Sequence, residues 1–127
     1  MASKHLNFLI VEDNKYALDL IKIILIKIIK NKKLLLTTAD DGRSAINYAE
    51  KTKFDLIFMD INIPYINGID ATKKIKQLNG LNFDTKIVAY TARNETPEYF
   101  QVNGFDFFII KPIRKESLEK LLVDFVI

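Results

Sequence analysis

The sequence predicts an α/β fold, a five-stranded parallel sheet with helices on both faces. Three observations predict it. Five strand-length apolar runs recur along the 127 residues, helical patterns separate them, and most of the runs are apolar on both faces. A strand covered by helices on both sides reads that way, whereas a strand with one wet face alternates. Regular strand–helix alternation in turn implies a parallel sheet with right-handed crossovers.

The first strand is LNFLIV (6–11), and a helical pattern follows it from about Lys15 to Lys30. LLLTTA (34–39) is the second strand; the Asp40-Asp41-Gly42 turn and helix cap then lead into a helix over about Ser44 to Lys51. FDLIFM (54–59) is the third, and the helix after Asn67-Gly68 carries Ala71, Ile75 and Leu78 at i, i+4, i+7 spacing. KIVAYT (86–91) is the fourth strand; Thr96 as N-cap and Pro97 at the first helical position start the fourth helix. FDFFII (105–110) is the last strand, with Phe107 and Phe108 on opposite faces, and the final helix aligns Leu118, Leu121, Leu122 and Phe125 in one stripe. No repeat, low-complexity tract or linker breaks the pattern. A single domain over 1–127 is expected, with no output domain beside it.

Composition narrows the function. A formal net charge of only +3, with lysines spread along the chain, fits a solvated surface better than a nucleic-acid interface. Without cysteine, disulfides and thiolate metal sites are excluded. LIKIILIKII (Leu20 to Ile29) is interrupted by Lys22 and Lys27 and falls short of the ~20 apolar residues a membrane span needs. The apolar stretch at the amino terminus is too short for a signal peptide and two acids follow it. Asn94-Glu95-Thr96 therefore reads as a coincidental sequon, and a cytoplasmic location is expected.

In open parallel sheets, ligands bind beyond the carboxyl ends of the strands, where the strand order reverses. At those ends the sequence places Glu12-Asp13, Asp60, Thr91-Ala92 and Lys111-Pro112. Each has a plain reading when taken alone. Glu12-Asp13 suits a helix cap, Asp60 a turn before Pro64, Thr91 a strand end, and Lys111 a surface charge. Taken together they set three carboxylates and one ammonium in a single crevice. Like charges ~4 Å apart repel by about 4 kcal/mol at an effective dielectric near 20, and a divalent cation relieves this. Carboxylate oxygens with no histidine or thiolate partner suit a hard ion, Mg²⁺ best, with Mn²⁺ able to replace it. Mg²⁺ usually keeps some waters and takes phosphate among its ligands. Thr91 and Lys111 offer that phosphate a hydroxyl and a point charge. Asp60, at the centre, is a candidate nucleophile that would carry an aspartyl-phosphate. Such a transfer needs little beyond positioning and charge neutralisation.

Over essentially its whole length the sequence resembles the receiver domain of two-component response regulators. The matching pieces are VEDN (11–14), MDINIPYING (59–68), YTA (90–92) and IKPI (110–113). This resemblance implies the (βα)5 flavodoxin-like topology with strand order 2-1-3-4-5. It implies that Asp60 accepts a phosphoryl group from phosphohistidine on a sensor histidine kinase or a histidine phosphotransfer protein. Asp13 and Asp60 would hold Mg²⁺ directly, Glu12 through water, and the backbone carbonyl of Asn62 would be a further ligand. Thr91 and Lys111 would grip the phosphoryl oxygens, and the Lys111-Pro112 peptide would be cis.

The resemblance also implies a switch. Phe108 would turn inward as Thr91 moves toward the phosphate; lacking a tyrosine's hydroxyl, its outward state is expected to have no polar anchor. The face that changes would include Tyr99, Phe108 and Arg114, read by an unidentified downstream protein or by a dimer formed on phosphorylation. Asn62 and Arg93 would flank the path of an attacking water and set phosphoryl lifetime, with Arg93 favouring slow hydrolysis. Ile26 interrupts the polar stripe of Lys15, Asp19, Lys22 and Lys30 on the first helix and would help dock the phosphodonor.

A Mg²⁺-dependent aspartyl-phosphate phosphohydrolase of similar topology is the alternative. Such enzymes commonly place a second aspartate two residues after the nucleophile as acid–base, and here that position is Asn62. A flavodoxin-like cofactor binder would want a phosphate-cradling loop where VEDNK is acidic. The leading expectation is a switch that catalyses its own phosphorylation and dephosphorylation and turns over no external substrate. His5 is expected at a disordered or surface position without a ligand role, and Gly68 as a residue serving turn geometry.

Overall fold

The computed structural model of the protein describes residues 5–30, 32–77 and 80–125. Strands β1 (His5–Val11), β2 (Lys33–Ala39), β3 (Leu56–Met59), β4 (Ile87–Thr91) and β5 (Phe107–Ile110) alternate with helices α1 (Lys15–Ile28), α2 (Gly42–Lys51), α3 (Gly68–Ile75), α4 (Pro97–Val102) and α5 (Lys115–Phe125). All pairings are parallel, in the order β2-β1-β3-β4-β5. The predicted fold class and strand order are therefore those observed.

Alternation along each strand divides the core into two layers. Leu9, Val11, Ile57, Met59, Ile87 and Ala89 face α2, α3 and α4, whose Ala45, Ala71 and Phe100 close that side. Phe8, Ile10, Leu56, Phe58, Val88 and Tyr90 face α1 and α5 through Ile21, Leu25, Leu118 and Leu122. Phe107 packs with this second layer, and Phe108 on the opposite side stacks on Phe100. Leu78 and the side chain of Phe125, each assigned to a helical stripe from sequence, lie outside the described residues. Among the described residues no helix is long and apolar enough to cross a membrane.

Four helices start on side-chain caps that follow a strand's carboxyl end. Asn14 accepts from Ala17 N, Asp41 from Ser44 N, Asn67 from Asp70 N, and Thr96 from Tyr99 N with Pro97 next in line. Each cap satisfies an orphan amide of the first turn. The Ser44 amide also holds the Asp41 carboxyl below its ordinary range.

Two expectations change. FDLIFM and FDFFII each begin the strand two residues late, because their aspartates bond to the neighbouring strand's backbone ahead of the regular ladder. Asp55 accepts from Asn7 N at 2.8 Å, and Asp106 from Ile87 N at 2.9 Å. His5 takes the expected surface position, exposed as the first residue of β1 and opposite Lys33. Gly68 does not serve a turn with positive φ: it starts α3, and a Cβ there would lie 2.1 Å from the carbonyl oxygen of Asp60. Its missing side chain lets the helix close against the backbone of the central acid.

Candidate functional site

The carboxyl ends of β1, β3 and β5 converge. β1 and β3 are neighbours in register, and the Asp60 amide bonds to Val11 O at 3.1 Å, which carries Asp60 alongside Glu12 and Asp13. The carboxylates of Glu12, Asp13 and Asp60 each offer an oxygen within 4.8 Å of the others. From β5, Lys111 Nζ donates to Asp60 Oδ2 at 2.9 Å. Nζ also forms a close ion pair with Glu12 Oε1.

Burial differs sharply within this group. Glu12 is 1% exposed and Asp60 is 4% exposed, while Asp13 sits at the open side. Burial pushes the Glu12 carboxyl above its ordinary range, and the charge of Asp60 adds to this against the Lys111 ammonium and the Asn14 amide. Asn14 N donates to Glu12 Oε2 at 3.0 Å, so the residue that caps α1 also fixes this acid. For Lys111, burial acts to lower the pKa, but the pairing with Glu12 and Asp60 outweighs it and leaves the ammonium raised.

Two further residues shape the site, Tyr90 beside Lys111 and Gly42 beside the loop after Asp60. Lys111 Nζ lies 4.7 Å from the ring centroid of Tyr90, a cation–π contact. Burial pushes the Tyr90 phenol up, with the charges of Glu12 and Asp60 adding to it, and the neutral hydroxyl donates to Ala17 O at 3.3 Å. Tyr90 falls inside the YTA stretch, and its strand position facing α1 and α5 was the available signal. Gly42 is the second: its N donates to Pro64 O at 3.2 Å, and a Cβ would lie 1.9 Å from Ile66 O. The start of α2 thus closes on the loop after Asp60.

The remaining predicted residues lie around or beyond this cluster. Asn62 is exposed, and its amide donates to Asp60 Oδ1 at 3.2 Å. Thr91 is fully buried, and its hydroxyl accepts from Arg93 N at 3.2 Å. Arg93 reaches Asn62 Oδ1 at 3.3 Å and Tyr99 Oη at 2.8 Å. The Lys111-Pro112 peptide is cis. Phe108 is 37% exposed and stacked on Phe100 at 4.6 Å and 13°, so its outward position rests on a ring instead of a polar anchor. Arg114 is exposed at the start of α5. Ile26 is 60% exposed on α1, away from the crevice, and Tyr16, Leu20 and Ile23 on the same helix are exposed too, a more apolar surface than the polar stripe suggested.

Three clustered carboxylates with oxygen donors alone fit a hard divalent cation. The ammonium bridging two of them holds part of the charge that such an ion would otherwise balance.

The chain has known relatives. The profile of the response regulator receiver domain matches residues 8–123, and the chain belongs to that family. It is 34% identical over 122 residues to the autoinducer 2 sensor kinase/phosphatase LuxQ of Vibrio parahaemolyticus, covering 94% of this chain and 14% of that protein. Among solved structures, the receiver domain of sensor histidine kinase PA1611 from Pseudomonas aeruginosa, which has a magnesium ion coordinated in its active-site cleft, superposes with a TM-score of 0.81. That pair is 25% identical, with 95% of this chain and 97% of that one covered. The Saccharomyces cerevisiae Ssk1 receiver domain, solved with the histidine phosphotransfer protein Ypd1, gives a TM-score of 0.78 at 27% identity, covering 98% of this chain and 90% of that one.

Proposed function

We propose that this chain is a phosphorelay switch in which Asp60 accepts a phosphoryl group with Mg²⁺ bound. The observation that carries the reading is the meeting of three carboxylates within 4.8 Å at an acid already bonded to a lysine. Asp13 and Asp60 would hold Mg²⁺ directly, Glu12 through water, and the Asn62 carbonyl would add a ligand; Mn²⁺ would serve in its place. The ion supplies charge neutralisation for the transferring phosphoryl group.

The protein's own groups do the rest. Asp60 attacks phosphorus with a carboxylate oxygen; the P–N bond of the donor phosphohistidine breaks, and its electron pair stays on the imidazole. Lys111, already 2.9 Å from Asp60 Oδ2, would follow the charge onto the phosphoryl oxygens. The Thr91 hydroxyl, which accepts from Arg93 N, would turn to donate to another of them. Asn62 and Arg93 would govern the approach of water and so the lifetime of the acyl phosphate, with Arg93 slowing its hydrolysis. No external substrate is turned over.

The donor is a sensor histidine kinase or a histidine phosphotransfer protein, the class of partner with which the yeast Ssk1 receiver was solved, and it would dock at α1 near Ile26. A surface containing Tyr99, Phe108 and Arg114 would pass the state to a downstream protein, in the cytoplasm. The phosphohydrolase reading is not favoured, because Asn62 at the acid–base position is occupied with Arg93 and has no proton to exchange.

Incubation with acetyl phosphate and Mg²⁺, read by intact mass, tests the proposal. Wild type should gain one phosphoryl group and Asp60→Asn none. An equal gain in both proteins would refute the assignment.

A further inference from the structure

Arg93 connects parts of the molecule that the phosphoacceptor chemistry alone does not join. Its Nη2 donates to Asn62 Oδ1 on the loop after Asp60, and its Nη1 donates to Tyr99 Oη on α4. Its own amide donates to the Thr91 hydroxyl. All three partners are neutral, and no carboxylate pairs with the guanidinium among the described residues. A guanidinium is built for planar anions, and charge-assisted bonds to them are roughly twice as strong as bonds to neutral acceptors. Asn62, which it touches, is itself bonded through its amide to Asp60 Oδ1 at 3.2 Å. The weaker class of bond is thus made to the residue whose backbone amide holds Asp60, where an anion would appear.

We propose that Arg93 is a latch on α4 that a phosphoryl group on Asp60 opens. The guanidinium holds Tyr99 in the unmodified protein and exchanges that neutral partner for phosphoryl oxygens when they arrive. This rests on Asp60 being the phosphoacceptor. The helix it holds is short, Pro97–Val102, and a helix of that length has few bonds of its own to fix its position. The Tyr99 ring meets Phe100 edge-on at 5.5 Å, and Phe100 is the plate on which Phe108 stacks. Release of Tyr99 therefore loosens the support of the exposed ring on β5. A physical route runs from Asp60 through Asn62, Arg93, Tyr99 and Phe100 to Phe108, separate from any movement of Thr91.

Amide hydrogen exchange on the α4 peptide tests it, with the full chain in Mg²⁺ before and after addition of acetyl phosphate and intact mass read in the same samples. Wild-type α4 should exchange about twofold faster once phosphorylated, the population factor set by one exposed hydrogen bond at the low end of its net range. Tyr99→Phe keeps the ring and removes the hydroxyl; its α4 should already exchange at the fast rate before phosphorylation and change little after it. Arg93→Lys, which keeps the charge but cannot span both partners, should behave like Tyr99→Phe before phosphorylation. Unmodified Tyr99→Phe exchanging like unmodified wild type would overturn the latch. So would a wild-type protein that gains the phosphoryl mass with α4 exchange unchanged, a result that leaves Asp60 as the acceptor. A wild type that gains no mass removes instead the phosphoacceptor reading on which the latch depends.

Discussion

At the carboxyl edge of the sheet, Glu12, Asp60 and Lys111 form a buried cluster of opposite charges, while a few ångströms away Asn62, Arg93 and Tyr99 form a more accessible rim of neutral partners around one guanidinium. The cluster is held from several directions at once, by the Asn14 amide, the Tyr90 ring and the backbone bond from Asp60 to Val11. The rim is held by single side-chain bonds. Buried charges without partners are costly, so the cluster has to be fully satisfied before anything binds. Exposed bonds contribute little to stability, so the rim is free to rearrange. The contrast separates the part of the site that fixes geometry from the part suited to respond.

The largest expected effect breaks the cluster. Lys111→Met leaves Glu12 buried beside Asp60 with no cation, and should cost about 3 kcal/mol in urea unfolding at neutral pH without Mg²⁺, at the low end for a broken buried pair because Lys111 is partly exposed. Adding Mg²⁺ should return part of that loss, since an ion bound to the native carboxylates stabilises by mass action. An unchanged unfolding midpoint would mean that the ammonium is not what satisfies the acids. Next comes Gly68→Ala. The new Cβ must move a backbone carbonyl instead of a flexible side-chain end, and a loss of about 2 kcal/mol is expected together with weaker Mg²⁺ binding by calorimetry.

Asp41→Ala provides a control outside both regions. Loss of the α2 cap should cost about 1 kcal/mol at neutral pH. Because the folded Asp41 carboxyl is held below 3.8, chiefly by the Ser44 amide, its contribution is present above 3.8 and is lost as pH falls through the lower folded value. The stability gap between the two proteins should therefore stay constant down to about pH 3.8 and narrow below it. The smallest stability effect belongs to the rim. Arg93→Ala should shift unfolding by no more than about 0.5 kcal/mol, while the acyl phosphate decays faster in a radiolabel chase. A rim substitution as destabilising as Lys111→Met would erase the distinction between the two regions.

Much of this arrangement was legible because alternation of apolar runs fixes strands, and the strand ends then fix which polar residues meet. Glu12, Asp13, Asp60 and Lys111 all announce themselves as charges that end a core segment. The supports did not. Gly68 reads as a turn residue because a sequence shows a glycine's flexibility but not the carbonyl that would collide with its Cβ. Tyr90 reads as a core aromatic, and only the neighbouring strand places a lysine over its ring. Phe108 lacks a polar anchor as expected, but the ring that supports it, Phe100, comes from a different element and is not legible locally. Asp55 and Asp106 read as strand residues in sequence, since nothing local reveals that each carboxylate bonds the backbone of an adjacent strand. In each case the missing information was a contact between residues distant in the chain.

The central claim is that the carboxylate of Asp60, and no other acid in the crevice, takes the phosphoryl group when Mg²⁺ is present. Borohydride reduces an aspartyl-phosphate to homoserine, so reduction after treatment with acetyl phosphate, followed by peptide sequencing in a mass spectrometer, reads the position directly. Homoserine at position 60 with Mg²⁺, and none when the ion is chelated, is the predicted result. Homoserine at position 13, or labelling at 60 that ignores the metal, would contradict it.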